Sequence, residues 1–143
     1  MKKKIIFINR FFYPDQSASS QLLSDLAFWL GDNNPDLEVN VITSQICHDN
    51  PNSNLPIFEK IAQLNIHRLP TTKFGASNLF GRLFDYITFY FTLFFKLLII
   101  IKAGDIVVCK TDPPLISIIT QPIVKIKKAY LVNWLQDIFP EIA

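Results

Sequence analysis

Two short polar segments carry the side chains best suited to bind or transform a ligand. One contains Asp137 and Glu141, which follow Trp134-Leu135-Gln136 near the end of the 143-residue chain. Carboxylates just beyond a strand can act as a general base or bind the hydroxyl groups of a sugar. The same two carboxylates can instead cap a following helix. Their spacing alone leaves both roles open.

The other segment contains Ser17, Ser19 and Ser20, a few residues after Tyr13-Pro14-Asp15. Hydroxyl groups beside the free N–H groups of a helix start suit a phosphate or a sugar hydroxyl. The alternative is ordinary capping of the helix by one serine, with the other two solvated. His67 is more typical of a residue that decorates a strand than of a catalytic histidine.

Strands that alternate with helices must position these candidate residues. Short apolar runs rich in β-branched residues predict strands, and leucines at helical spacing predict helices. The predicted strands are 5–8, 37–43, 65–69, 105–109 and 129–135, and the predicted helices are 22–30, 79–101 and 115–127. Gly31 is a stop signal for the first helix, and Asp112 followed by Pro113 and Pro114 is a start signal for the last.

This order predicts an α/β fold, a Rossmann-like doubly wound parallel sheet with helices on both faces. The length of 143 residues suits a single domain. Ligands of open α/β sheets bind beyond the carboxyl ends of the strands. Both polar segments follow predicted strands, so we expect both to lie at that edge of the sheet.

Composition excludes several functional classes. Fourteen basic and twelve acidic residues give a formal charge of +2, too little for a concentrated nucleic-acid-binding face. The chain has four glycines, no GxGxxG and no GxxxxGK[ST], which excludes dinucleotide and P-loop sites. Cys47 and Cys109 form neither a disulfide framework nor a zinc-ligand pair. We therefore expect a cytoplasmic protein with no metal site.

The segment 84–101 is unusually rich in aromatic residues. It is slightly short for a transmembrane helix, and charged residues such as Asp85 and Lys96 interrupt it. We expect one face to pack on the sheet. We expect the remaining aromatic residues, Phe84, Phe91 and Phe95 among them, to form an exposed patch that contacts a bilayer or a partner.

Several motifs in this order resemble one known family. They are Lys4-Ile-Ile-Phe-Ile8, Tyr13-Pro14-Asp15, Leu23-x-x-Leu26-Ala27-x-x-Leu30, Val39-Asn-Val-Ile-Thr43, Asp105-Ile-Val-Val108 with Pro113-Pro114, and Trp134-Leu-Gln-Asp-Ile-Phe-Pro-Glu141. Together they resemble the start of family 4 glycosyltransferases of the GT-B fold. The last motif is similar to that of bacterial members that build surface polysaccharide such as lipopolysaccharide.

The resemblance implies that residues 1–143 form the N-terminal, acceptor-binding domain of a two-domain enzyme. The C-terminal domain, which holds most of the nucleotide-sugar donor, is then absent from this chain, and the fragment alone is inactive. Members of this family are metal-independent, need no cofactor and retain configuration at the sugar carbon. The acceptor is expected to be lipid-linked or a saccharide.

The resemblance also assigns roles to individual residues. Asp137 matches the acidic residue after the fifth strand and is the candidate acceptor-side carboxylate, while Gln136 stands where many relatives have histidine. Ser17 to Ser20 occupy the turn where relatives commonly have paired glycines near the donor phosphates. Some relatives dock on the membrane at the position of the aromatic helix, which predicts peripheral contact with the inner face of the cytoplasmic membrane.

A second hypothesis, which assigns no catalysis to the chain, stays open. The chain can be a non-catalytic Rossmann-like module that uses its aromatic helix to recruit a partner enzyme to the membrane. Coding sequence downstream of Ala143 would discriminate the two, because a second α/β domain with a Glu-x7-Glu signature belongs only to the enzyme.

Overall fold

Apolar strands and amphipathic helices alternate along the chain, as the sequence predicts. A computed structural model describes residues 2–75 and 78–136. Their elements are β1 (Lys3–Ile8), α1 (Ala18–Asn33), β2 (Leu37–Ser44), β3 (Phe58–Ile61), β4 (Leu64–Leu69), α2 (Leu79–Ile100), β5 (Ile106–Cys109), α3 (Ile116–Lys127) and β6 (Tyr130–Asn133).

The strands form one sheet in the order β3-β4-β2-β1-β5-β6. Four of the five strand pairs are parallel, which confirms the doubly wound α/β fold. The expectation of five strands, all parallel, is wrong in one respect. The short edge strand β3 pairs antiparallel with β4, and Ala62 turns between them with a positive φ of 52°.

Each face of the sheet has its own apolar core. On one face, Leu23 and Ala27 of α1 pack over strand residues such as Val41. On the opposite face, Phe89 and Leu93 of α2 pack beside α3 over the alternate strand residues. Because successive strand side chains point to opposite faces, one continuous apolar strand supplies both cores. Helices on both faces, as predicted, therefore cover the sheet.

Two predicted helix boundaries are wrong for local reasons. Gly31 does not end α1, which continues to Asn33. A Cβ at position 31 would lie 2.8 Å from Leu64 Cδ1, so the missing side chain serves a close approach to β4. Asp112 does not cap α3, because the N-cap is Leu115, which has a positive φ of 66° and makes no side-chain cap.

Candidate functional site

The sheet reverses its winding direction between β1 and β5, which are hydrogen-bonded neighbours. The chain leaves β1 toward β2 on one side and reaches β6 on the other. A crevice forms at such a reversal, beyond the carboxyl ends of the two strands. The strand ends are held together there, because Lys110 N–H donates to the Ile8 carbonyl at 3.1 Å and Arg10 N–H to the Asp112 carbonyl at 2.8 Å.

A cavity of about 390 Å³ opens at this crevice, on the side of the sheet that α2 covers. Residues from the β1, β2, β4 and β5 connections and from the first turns of α2 line it. The lining includes Arg10, His48, Lys73, Arg82, Asp85 and Asp112. The cavity therefore combines both signs of charge with aromatic walls from Phe11 and Tyr86. We call it the Arg10 cleft.

Asp85 holds one wall of the Arg10 cleft. This buried carboxylate accepts hydrogen bonds from Thr72 Oγ1 at 2.7 Å, from Phe74 N–H at 2.9 Å and from Gly75 N–H at 2.8 Å. A buried charge is tolerated when donors surround it in this way. The charged residue that interrupts the apolar helix thus fastens the segment between β4 and α2.

Gly81 fixes how closely that same segment approaches α2. A Cβ at position 81 would lie 2.7 Å from the carbonyl carbon of Phe74 and overlap its carbonyl oxygen. Asn78 begins the helix beside it, accepting a hydrogen bond from Gly81 N–H at 2.7 Å. Since the neighbour is backbone rather than a side chain, it cannot turn aside to accept a larger residue.

Arg10 projects into the cleft from the end of β1. Its side chain is 9% exposed, and its Nη2 lies 3.6 Å from Asp85 Oδ2, beyond hydrogen-bond distance. The guanidinium carbon lies 4.9 Å from the centroid of the Phe11 ring and 5.0 Å from that of Tyr86. Among the described residues, Arg10 Nε has no hydrogen-bond partner.

Asp112 brings a second carboxyl to the cleft from the end of β5. Burial raises the pKa of Asp112, and the nearby charges of Arg10 and His48 oppose that shift. Because burial is the larger cause, this carboxyl holds a proton more readily than an exposed aspartate does.

Lys110 occupies the other side of the same crevice, toward α1. Its Nζ donates to the Ser19 carbonyl at 2.7 Å and lies 4.4 Å from the centroid of the Trp134 ring. Burial lowers the pKa of Lys110 to about 8. The lysine ties the first turn of α1 to the end of the sheet.

The three predicted serines lie in one turn at the start of α1. Ser17 is the N-cap residue, but its side chain makes no capping bond and its hydroxyl donates to the Asp15 carboxylate. Ser20 is buried, and its hydroxyl donates to the Asp15 carbonyl at 3.1 Å. Ser19 contributes its carbonyl to Lys110. The turn thus uses two of the three hydroxyls for its own structure.

Of the remaining predicted ligand-binding residues, Tyr13 lies beside this turn, and the others lie at the end of the described residues or beyond them. Tyr13 is exposed, and its ring packs edge-on against Phe28 with centroids 5.7 Å apart. Gln136 is exposed at the end of the described residues. Asp137 and Glu141, the candidate carboxylates, lie outside the described residues.

One group within the described residues has the spacing of metal ligands. Potential ligand atoms of Asp15, Cys47 and Asp49 lie within 4.8 Å of one another. Both Asp15 oxygens already accept hydrogen bonds, from Ser17 and from the backbone N–H of His48. Burial raises the pKa of Cys47, which favours the thiol over the metal-binding thiolate. The group is therefore better suited to holding the loop than to holding an ion.

The outer surface of α2 is largely apolar, although Arg82 is exposed near its start. The predicted contact residues Phe84, Phe91 and Phe95 are 57%, 66% and 51% exposed. Other large apolar side chains on the same helix are also exposed: Leu79, Phe80, Leu83, Ile87, Phe94 and Ile99. By length and composition α2 could cross a membrane, and 22% of its most apolar window is buried. We call this surface the α2 apolar face.

Arg10, Lys110 and Asp112 did not emerge as candidate site residues from the sequence. Each is a charged residue that follows an apolar strand within three positions. The informative signal is that β1 and β5 are neighbours, which places their following residues together. Adjacency of strands distant in sequence is a property of the topology and cannot be read from either strand alone.

Comparison with known proteins assigns no family to the chain. No family model matches the chain, and no curated protein matches it.

Proposed function

We propose that this chain is the acceptor-binding half of a retaining glycosyltransferase of the GT-B fold, active in cell-surface polysaccharide biosynthesis. The observation that carries the proposal is the polar Arg10 cleft at the β1–β5 reversal, where α/β sheets bind their ligands. The order of motifs along the sequence supports the same assignment. The donor, a nucleotide sugar, binds mainly to a second domain that faces this edge.

In this mechanism the chain positions the acceptor rather than supplying a covalent nucleophile. The motif resemblance makes Asp137 the acceptor-side carboxylate, and along the chain it follows β6 and Gln136. Gln136 and Glu141 flank it and contact sugar hydroxyls. Holding the acceptor hydroxyl against the sugar carbon of the donor supplies much of the rate enhancement. The proposal assigns Tyr13 and the Ser17–Ser20 turn to contacts with the donor.

We propose that the α2 apolar face binds the inner surface of the cytoplasmic membrane, where a lipid-linked acceptor is presented. Asp85 and Phe89 turn toward the protein, while Phe84, Phe91 and Phe95 turn away from it. A helix packed on the sheet by one face and bare on the other suits lying in the membrane interface. Arg82 and Tyr86 of the same helix line the cleft, so membrane contact brings the cleft to the bilayer surface.

The test is sugar transfer by this chain joined to its genomic continuation. A panel of nucleotide sugars is offered with a lipid-linked acceptor, and Asp137→Ala is compared with Asp32→Ala, an exposed carboxylate on α1. We expect transfer by the joined protein, loss of at least about a hundredfold with Asp137→Ala, and no change with Asp32→Ala. Equal activity of the two variants removes Asp137 from the site.

A second candidate is a non-catalytic module that recruits a partner enzyme to the membrane. The extent of the α2 apolar face favours it, because membrane contact requires no catalytic residue. The transfer assay discriminates the two functions. If no continuation exists and no partner restores transfer, while liposome binding persists, the recruitment module is the correct reading.

A further inference from the structure

We infer that the Arg10 cleft is a binding site for a phosphate group, with the Arg10 guanidinium as its central ligand. The inference does not depend on catalysis, because it concerns which chemical group fits the cleft. It deepens the proposed function in one respect: in the proposed enzyme, that phosphate belongs to the acceptor.

The first argument is the unfulfilled hydrogen-bonding capacity of Arg10. Its side chain is more than nine-tenths buried, yet the described residues accept no hydrogen bond from its guanidinium. A guanidinium carries five N–H donors in a planar fork. Leaving such a group buried without acceptors costs several times more than leaving a neutral one. An acceptor with several oxygens would resolve this.

The second argument is that the neighbouring carboxylate is already occupied. Asp85 accepts bonds from Thr72, Phe74 and Gly75, and its nearest oxygen stays 3.6 Å from Arg10. Asp85 therefore forms an ion pair with Arg10 but accepts no hydrogen bond from it. The Phe11 and Tyr86 rings contact the guanidinium but accept no conventional hydrogen bond from it.

The third argument concerns the charges around the opening. Lys73 and Arg82 also line the cleft, so three cationic side chains surround it. Asp112 is the carboxyl that opposes them, besides the occupied Asp85, and its raised pKa weakens that opposition. Bidentate guanidinium contacts and added lysine charge are the usual recognition of phosphate. A volume of about 390 Å³ leaves room for the group that carries the phosphate.

Two sources can supply the phosphate, and the experiment separates them. Binding to the 143-residue chain is measured by calorimetry with inorganic pyrophosphate, and by flotation with phosphatidylcholine vesicles that do or do not carry a prenyl diphosphate. Saturable pyrophosphate binding alone indicates a soluble phosphate ester. Vesicle binding that requires the prenyl diphosphate and is competed by pyrophosphate indicates a lipid-linked one. Either outcome supports the site.

The decisive variant is Arg10→Gln, with Lys60→Gln as a control for the lost charge. Lys60 lies exposed on β3, at the far edge of the sheet. We expect Arg10→Gln to weaken pyrophosphate binding about tenfold or more, the range for a lost charged hydrogen bond. Lys60→Gln should leave it unchanged. Arg10→Lys should fall between, because it keeps the charge and loses the fork.

A direct measurement covers the case in which Arg10→Gln fails to fold. The Nε–H resonance of Arg10 in the wild-type chain is followed by NMR during pyrophosphate titration. We expect it to shift saturably, with the same dissociation constant as calorimetry. A resonance that does not respond, or equal binding by folded Arg10→Gln, overturns the inference. If the joined protein transfers no sugar while the chain still binds pyrophosphate, only the proposed function is contradicted.

Discussion

The two faces of the sheet bury similar apolar cores, but the helices that cover them expose different surfaces to solvent. Each buries a continuous apolar core, one beneath α1 and one beneath α2 and α3. The exposed surface of α1 is mostly polar, with Leu22 and Trp29 as its exposed large apolar side chains. The exposed surface of α2 carries nine such residues. The fold requires only the buried half of each helix, so the composition of the α2 apolar face needs another cause.

That difference also separates the two sides of the crevice. Lys110, on the α1 side, is satisfied by the Ser19 carbonyl and the Trp134 ring. Arg10, on the α2 side, also contacts aromatic rings, but its Nε has no hydrogen-bond acceptor among the described residues. The cation on the side with the polar outer surface therefore has a hydrogen-bond acceptor within the protein. The cation on the side with the apolar outer surface keeps unused hydrogen-bond donors. We expect ligand and membrane to meet this protein on its α2 side.

The largest effect should come from removing the α2 apolar face. Replacing Phe84, Phe91 and Phe95 together by serine should weaken binding to anionic liposomes by at least about a hundredfold, since each buried phenylalanine contributes about 1.5–3 kcal/mol. The matched control is Leu22→Ser with Trp29→Ser on α1, which should leave binding unchanged. Sedimentation with liposomes measures both. Equal binding by the two multiple variants would remove the distinction between the outer surfaces.

The two cores should respond alike to truncation, which tests the other half of the comparison. Leu23→Ala beneath α1 and Leu93→Ala beneath α2 each remove a fully buried side chain. We expect each to lower the free energy of unfolding by about 2–5 kcal/mol, measured with urea. A negligible cost for Leu93→Ala would mean that α2 does not depend on the sheet for its position.

Substituting the glycine at which each helix approaches its neighbour closely should destabilise α2 more than α1. Gly81→Ala drives a methyl group into the backbone of Phe74, and we expect it to destabilise the chain by about 1–3 kcal/mol. Gly31→Ala is also tight, since the new methyl group would lie 2.8 Å from Leu64 Cδ1, but it meets the end of a side chain rather than backbone, and about 1 kcal/mol of helix propensity offsets part of the cost. Thermal unfolding of the two variants should therefore place Gly81→Ala well below Gly31→Ala. The reverse order contradicts the packing described for the start of α2.

The effect that is smallest at neutral pH should be a pH dependence on the α2 side of the sheet. His67 hydrogen-bonds with Asn40 at 3.1 Å, and burial lowers the pKa of His67 to about 4. Between about pH 4 and 6.5 the unfolded chain then binds more protons, so stability present above pH 6.5 is lost as the pH falls. His67→Gln should flatten this part of the stability profile in urea unfolding. A slope unchanged by the substitution assigns the acid sensitivity to other groups.

The sequence predicted the fold well because apolar runs and helical spacing are local signals. A few residues are enough to predict a strand at Ile5 to Ile8 and a helix at the leucines of α1. β3 was missed because its four residues alternate in burial and depend on pairing with β4. Gly31 was misread because a stop signal and a close-approach glycine look identical without the neighbouring strand. Glycine's role there is decided by Leu64, far along the chain.

The candidate site was predicted only where it follows from motif order or composition. The exposed aromatic residues of α2 were predicted because their number exceeds what one buried helix face can hold. The Ser17–Ser20 turn was placed correctly at the helix start, but its internal hydrogen bonds depend on Asp15. Arg10 is brought into the site by the pairing of β1 with β5. Whether a buried cation has acceptors is a three-dimensional property that spacing does not encode.

The two edges of the sheet have a practical consequence for handling the isolated chain. β3 ends one side and exposes Phe58, but it also carries Glu59 and Lys60, and charged residues on an edge strand resist pairing with another molecule. β6 ends the other side, and it exposes Tyr130 and Val132. The unpaired backbone N–H and C=O groups of an edge strand are a template for intermolecular β-pairing, and exposed apolar side chains favour that pairing. We therefore expect aggregation in concentrated solution to begin at β6, and a charged substitution at Val132 to improve colloidal stability without touching the crevice.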